Sequence, residues 1–465
     1  MQKTILIGLL VLVACNGQPR QQPSTPVEAV PFSMDELQRR TFHYFWDQAD
    51  TINFQIPDRY PSLTFSSIAA TGFGLSSYLV GIERGYVSRE AAAQRVLQTL
   101  KVLSQLTQGD APAGVAGYKG FFYHFLTLDK ATRFKQVELS SIDTGLLMAG
   151  VLSVMSYFDG ESAVEQEIRT LSDALFRRVE WDWMLDDNHR LSMGWHPESG
   201  FIPARWKGYN EAMILLVMAM GSPSHPIPAE CWEQWCSTYE WAGFQGQEFV
   251  QFEPLFGHQY SHIWIDFRGI QDDYMRRKGI DYFENSRRAT LANRAYCLEN
   301  PLGFKGYNEN CWGLTACDGP ANEKRRVNGS ERQFFDYRAR GASTFRVVDD
   351  GTIAPTAAGG STPFEPELCL AALENMWTSY YPELVGEYGF KDAFNLSYTF
   401  GKGHENGWFD VDYLGIDQGP ILLQLENYRS GLLWAVMKKN PYIQEGLRRA
   451  GFSGGWLERK VDHPK

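Results

Sequence analysis

The residues in this chain best equipped for chemistry are isolated carboxylates that open apolar segments. Glu138 and Asp143 precede the apolar run 145–154, Glu211 precedes 212–220, and Asp410, Asp412 and Asp417 precede 421–425. A helix N-terminus favours a carboxylate through its free N–H groups and its dipole, so any one of these is open to reading as a plain cap. Three such openings, each beside glycine or aromatic loop residues, point further. Two carboxyls facing one cleft can hydrolyse an acetal: one protonates the leaving oxygen and the other activates water. Glu211 would then have to keep its proton where the helix dipole favours losing it. Burial by Trp206 and Tyr209, or a neighbouring carboxylate, has to outweigh that dipole.

The surroundings suit a neutral, ring-shaped ligand. Aromatic residues make up 14% of the 465-residue chain, including 14 Trp, and flat side chains stack on the C–H faces of sugars. Most will still be core. His124, Trp195, His196, Tyr209, His262 and Trp264 lie in aromatic strings and are candidate ligand contacts, each also open to a structural reading. The net charge of −11 argues against nucleic acid, which is held by many Lys and Arg contacts to phosphate. No HExxH, GxSxG or phosphate-loop pattern occurs. Asp410, Asp412 and Gly415 resemble the start of a calcium loop. Leu414 and Ile421, however, stand where that loop needs oxygen ligands. Cys231, Cys236, Cys297, Cys311, Cys317 and Cys369 form no CxxC pair, which predicts buried thiols and no zinc. Neither a metal nor a cofactor is expected, and activity should survive chelation.

The elements that must carry these residues read as helices. Ser33 and Glu36 make a capping box before Leu37, Phe42 and Phe45, and Ser88 caps an amphipathic run through Leu103. Further helices are expected to start near Ser141, Ser162, Asn210, Gly269, Pro366 and Asp417. Residues 65–83 carry the small residues of a tightly packed inner helix. Alternating strand patterns are scarce, with 121–125 and 346–349 the best. Apolar helices (144–157, 211–220) alternate with amphipathic ones (88–106, 162–180). A helix apolar all round is buried all round, so the pattern predicts an all-α, α/α-barrel fold with long loops forming a cleft at one rim. No repeat period supports a solenoid.

The N-terminus implies export. Lys3, an apolar run from Ile5 to Val13 and Leu12-Val13-Ala14-Cys15 resemble a bacterial lipobox, in which Cys15 is acylated. Residues 1–15 are thus read as a lipoprotein signal, 16–32 as a Gln/Pro/Ser/Thr tether and 33–465 as a single domain. The expected location is lipid-anchored, at the outer membrane facing the periplasm or at the cell surface, with no membrane contact beyond the lipid.

Five strings together resemble a known family: Trp312 to Pro320, Asp350 to Ala358, Pro363 to Glu367, Gly415 to Pro420 and Glu426 to Arg429. They are similar to the glucoamylase-like domain family that includes glycoside hydrolase family 144, the bacterial β-1,2-glucanases. The resemblance spans most of the mature chain. It implies an (α/α)6 barrel, no metal, and inverting hydrolysis of β-1,2-glucan to sophorose or short oligosaccharides. Glu211 matches the family's proposed acid and Asp143 another acidic cleft residue. Asp417 is the first candidate for activating water and Asp412 the second. Trp312, Asp318 and Phe364, within the shared strings, join Glu138 as expected substrate contacts. Two other readings stay open: a non-catalytic glycan-binding lipoprotein on this scaffold, and a barrel hydrolase or lyase acting on another glycan. Endo against exo action and oligomeric state are not fixed by these residues.

Overall fold

The computed structural model describes residues 30–458. Cys15, the leader and residues 16–29 of the expected tether lie outside the described residues. In chain order the helices are α1 (Met34–Asp47), α2 (Ile68–Glu83), α3 (Arg89–Gln105), α4 (Ser141–Tyr157), α5 (Ala163–Arg177), α6 (Met213–Gly221), α7 (Glu230–Cys236) and α8 (Tyr260–Trp264). They continue with α9 (Asp273–Lys278), α10 (Tyr282–Glu299), α11 (Pro355–Gly359), α12 (Pro366–Ser379), α13 (Gly415–Arg429), α14 (Leu432–Met437), α15 (Pro441–Arg449) and α16 (Gly455–Glu458). Among the described residues no helix is long and apolar enough to cross a membrane.

Serine begins the first five helices. Ser33, Ser67, Ser88, Ser140 and Ser162 each accept the N–H three residues on, removing one of the donors a helix start leaves unpaired. The expected alternation of two kinds of helix is present. Every residue of α6 is buried, and nearly all of α2, α4 and α13, whereas α1, α3 and α5 bury one face. The buried helices close a ring: α2 packs on α4, α4 on α6, α6 on α8, α8 on α13, and α13 on α2. Helix α11 enters beside α13, and its Ala357 carbonyl accepts the Gln259 amide 2.8 Å away, just before α8. Around the ring, α5 covers α4, α15 covers α6 and α12 covers α11.

Helices α2 and α4 approach as closely as backbones allow. A Cβ on Gly72 would lie 2.3 Å from the Leu146 carbonyl oxygen, and one on Gly150 would lie 2.2 Å from the Gly72 carbonyl oxygen. No side chain fits there, so the two glycines set the helix spacing.

Very short strands stitch the loops at one end of this ring. Ser66–Ser67 pairs with Phe125–Leu126 before α2, Leu139–Ser140 with Gly194–His196 before α4, and Tyr413–Leu414 with Arg59–Tyr60 before α13. Each ladder anchors the residues that open a buried helix. Strand pairs also form at Phe121–Phe122 and Val347–Val348, within the two segments that alternate.

Three expectations need correction. The helix expected from Gly269 is two helices, α9 and α10, because Gly279 adopts a left-handed turn (φ +73°) and Asp281 caps a new start. The longest hairpin, Glu323–Val327 with Ser330–Phe334, carries charged residues that mask its alternation. The tether ends earlier than residue 32. The Val30 carbonyl accepts the Trp377 indole N–H at 2.8 Å, and Phe32 packs edge-on to that ring, so these residues dock on α12.

Candidate active site

Asp143 is the third residue of α4 and Asp417 the third of α13, while Glu211 sits two residues before α6. Consecutive residues of α8 tie two of these starts together. The Tyr260 hydroxyl donates to the Ile416 carbonyl (3.1 Å), and the Ser261 hydroxyl donates to the Glu211 carbonyl (3.1 Å). Glu211 and Asp417 therefore flank one short segment at one end of the ring, and both charges bear on the Tyr260 phenol.

Glu211 has the property a proton donor needs. Burial, reinforced by the charge of Asp143, pushes its carboxyl up to about 7 against the pull of backbone N–H groups. Its Oε2 is buried without a partner. Desolvation therefore outweighs the backbone N–H that favours the charged form.

Beyond Asp143 lies a clamp. His124 Nδ1 is 2.9 Å from Glu138 Oε1, and its Nε2 is 3.5 Å from Asp143 Oδ1. The ring stacks on Phe125 with centroids 3.9 Å apart. Burial opposes the charge on this imidazole, yet Asp143, Glu138 and Asp58 outweigh it and push it up to about 9. Asp143 is itself raised, because burial exceeds what His124 and the Ser140 hydroxyl restore.

Asp58 links this clamp to a neighbouring cluster of six carboxyls and one guanidinium. Arg59 contacts Asp318 (2.5 Å) and Asp58 (3.2 Å) and lies 4.0 Å from Asp412. Asp392, Asp410 and Asp417 complete the set, all nearly inaccessible. Such a group cannot be fully ionised. Burial foremost, then Asp392 and Asp318, push Asp410 up to about 8. Burial likewise pushes Asp417 up to about 7, and Asp392 is raised further by burial and by Asp417. Asp392 Oδ2 accepts the Asp318 N–H at 2.7 Å, leaving Oδ1 without a partner, as is Asp417 Oδ2. A proton held between these two carboxyls satisfies both oxygens.

Asp318, Asp392 and Asp410 offer oxygens within 4.8 Å of one another, the spacing of a cation site. Arg59 already pairs with Asp318 at 2.5 Å, and Asp392 and Asp410 also take backbone N–H groups. The calcium-loop resemblance dissolves in the same place. Asp410 Oδ1 accepts the N–H groups of Val411 and Asp412, and Asp412 Oδ1 accepts that of Ser62 (2.8 Å). The chain then runs straight into α13.

Of the other sequence candidates, His124, Glu138, Trp195, His196 and Asp318 keep accessible surface. Trp195 packs with Tyr118 and Trp183, and His196 meets Arg133 at 3.2 Å. Tyr209, His262, Trp264, Trp312 and Phe364 do not belong to the site. Each ring is buried among core side chains, with no open face on which a sugar could stack. Tyr209 stacks on Tyr282, His262 meets Ser286 and the edge of Phe364, and Trp264 donates to Ser76. Trp312 lies in the second core, among α10 to α13. Sequence reasoning missed Asp58, Arg59, Asp392 and Tyr260, and also the half-exposed stack of Phe65, Phe125 and Phe134 (4.2 and 4.8 Å between rings).

Residues 203–441, which run from the Glu211 loop through α13, match the glycoamylase family model, described as a glucoamylase. The chain belongs to this glycoamylase family. An exo β-1,2-glucooligosaccharide sophorohydrolase (non-reducing end) from Parabacteroides distasonis is 30% identical over 450 residues, 90% of this chain. The chain spans 57% of that relative's length. An endo-β-1,2-glucanase from Chitinophaga pinensis, solved with sophorotriose and glucose, superposes with a TM-score of 0.79 at 30% identity. It covers 91% of this glycoamylase-family chain and 100% of its own. An endo-β-1,2-glucanase from Talaromyces funiculosus, solved with sophorose, shares the fold at a TM-score of 0.59 and 12% identity, over 89% of each chain.

Proposed function

We propose that this chain hydrolyses β-1,2-glucan by an inverting mechanism, with Glu211 as general acid and Asp417 as the carboxylate that activates water. The observation that carries the reading is Glu211: an unpartnered carboxyl pushed up to about 7, at the same end of the ring as a second raised carboxyl. Near neutral pH it keeps a proton to give to the glycosidic oxygen. Asp417 gains its charge as the Asp392–Asp417 pair loses a proton, and the proton left on Asp392 steadies the anion. The relatives named for β-1,2-glucan and sophorose supply the substrate.

The ring of buried helices is read as an (α/α)6 barrel: α2, α4, α6, α8, α11 and α13 inside, with the amphipathic helices between them outside. Membership of glycoside hydrolase family 144 follows from the same motifs. Acylation at Cys15 would hold the enzyme at the outer membrane, facing the periplasm or the cell surface.

The test is to incubate the mature protein with linear β-1,2-, β-1,3- and α-1,4-glucans and follow products by chromatography and proton NMR. Cleavage confined to β-1,2-glucan, releasing the α-anomer first, is expected. Sophorose alone at early times marks exo action, and a ladder of oligosaccharides marks endo action. No cleavage, or β-anomer first, would sink the reading.

A further inference from the structure

We propose that His124 is a positioning residue that decides which of two neighbouring carboxyls, Glu211 or Asp143, carries their common proton. The inference rests on Glu211 acting as the acid. Two contacts carry it: His124 Nδ1 to Glu138 at 2.9 Å and Nε2 to Asp143 at 3.5 Å. Stacking on Phe125 fixes the ring plane, so both nitrogens stay aimed at carboxylates. An imidazole has an acceptor nitrogen only when neutral, and here both nitrogens face acceptors, so the ring is an imidazolium.

The charge of Asp143 bears on Glu211. A Cβ on Gly145 of α4 would touch Leu215 of α6 at 3.3 Å, so the two helix starts abut. The groups facing His124 are Asp143, Glu138 and Asp58, and Glu138 also feels His196. Glu211 faces Asp143 and the Tyr260 phenol. Of the two neighbouring carboxyls, Asp143 is the one in contact with the cation. That contact favours the ionised form of Asp143 and leaves the proton on Glu211, where the leaving oxygen needs it. With a neutral residue at 124, Asp143 competes for the proton. The productive arrangement then becomes a minor one, and the pair as a whole holds its last proton more tightly.

The experiment is a double-mutant cycle with pH–rate profiles on β-1,2-glucan. His124→Gln keeps an amide donor toward Glu138 but removes the charge. We expect kcat to fall roughly 10-fold with KM little changed, and the alkaline limb to move up by about one pH unit, since the redistribution that leaves about a tenth of the pair productive raises its last macroscopic pKa by the same factor. In an Asp143→Asn background the same change should cost almost nothing, because the competitor is gone. His124→Lys, which restores the charge, should return the limb to its wild-type position. Equal losses from His124→Gln with and without Asp143, or a rise in KM with a fixed limb, would make His124 a substrate contact and overturn the proposal. If His124→Gln unfolds, the Lys variant carries the test, and a displaced limb there overturns it too. Failure of the underlying reading is distinguishable, since Glu211→Gln would then keep normal turnover.

Discussion

At the scale of single residues, the site separates proton holders from charge holders by burial. Glu211→Gln preserves shape and removes the transferable proton, so turnover should fall by about 10²–10⁴-fold with the melting temperature kept. Asp417→Asn should lose a similar factor. Asp392→Asn should lose far less than either. Its amide oxygen can keep the Asp318 N–H and its NH₂ can replace the shared proton, so it copies the neutral carboxyl. A large loss for Asp392→Asn with a small one for Asp417→Asn in steady-state assays would show that Asp392, rather than Asp417, handles the water. Glu211, Asp143 and Asp417 were legible in the sequence because carboxylates at the start of apolar helices are conspicuous. Asp392 was not: it lies in the loop between Phe390 and Phe394, and its chemistry comes from residues 318 and 417 brought beside it by the fold. The aromatic candidates failed for the converse reason. Tyr209 and Trp264 neighbour site residues in sequence, but their rings turn inward to the core.

At the scale of elements, the site is only as well placed as the helices that present it. Helix α4 carries Asp143 and meets α2 through Gly72 and Gly150, with backbone on the far side of each. Gly150→Ala puts a methyl where a carbonyl oxygen lies 2.2 Å away, and rigid backbone gives little. Overpacking of this kind typically costs about 1–3 kcal/mol. The variant should melt lower and lose activity as the start of α4 shifts. Gly243→Ala, at an exposed position with ordinary φ and nearest neighbours 3.9 Å from its Cβ position, should leave turnover unchanged and so serve as the control. Equal activity in the two variants would remove the argument that helix spacing sets the site. The inner helices were readable because small residues and unbroken apolar runs have no other use. The short strands before α2, α4 and α13 were not, since two residues of alternation carry no period; their pairing partners lie as far as 355 positions away (414 − 59), as Arg59 does from Leu414.

At the scale of the whole molecule, compartment and charge are the remaining consequences. Cys15→Ala should release the protein from the membrane fraction, and unchanged fractionation by immunoblot would refute the anchor. The charge argument runs through stability. Asp410, held at about 8, and His124, held at about 9, both bind protons in the folded chain at pH values where their unfolded counterparts have lost them. Each therefore contributes stability that is complete below its unfolded value and is lost as pH rises through its folded value. For Asp410 the loss runs from about 4 to 8, and for His124 from about 6.5 to 9. Glu211 and Asp417 add to the loss up to about 7. The buried imidazoles of His258 and His262, lowered by burial to about 4 and about 3, act the other way and oppose acidification below about 6.5. These opposing trends leave the range from pH 7 to 9 as the window where they do not compete. The melting temperature should fall steadily across it. Asp410→Asn keeps the oxygen that accepts the Val411 and Asp412 N–H groups and cannot ionise. It should flatten that decline below about pH 8, gaining about half as much at pH 6 as at pH 9. Calorimetric scans at four pH values decide the matter, and a wild-type melting temperature constant from pH 7 to 9 would mean that the buried acids do not hold their protons as the geometry requires.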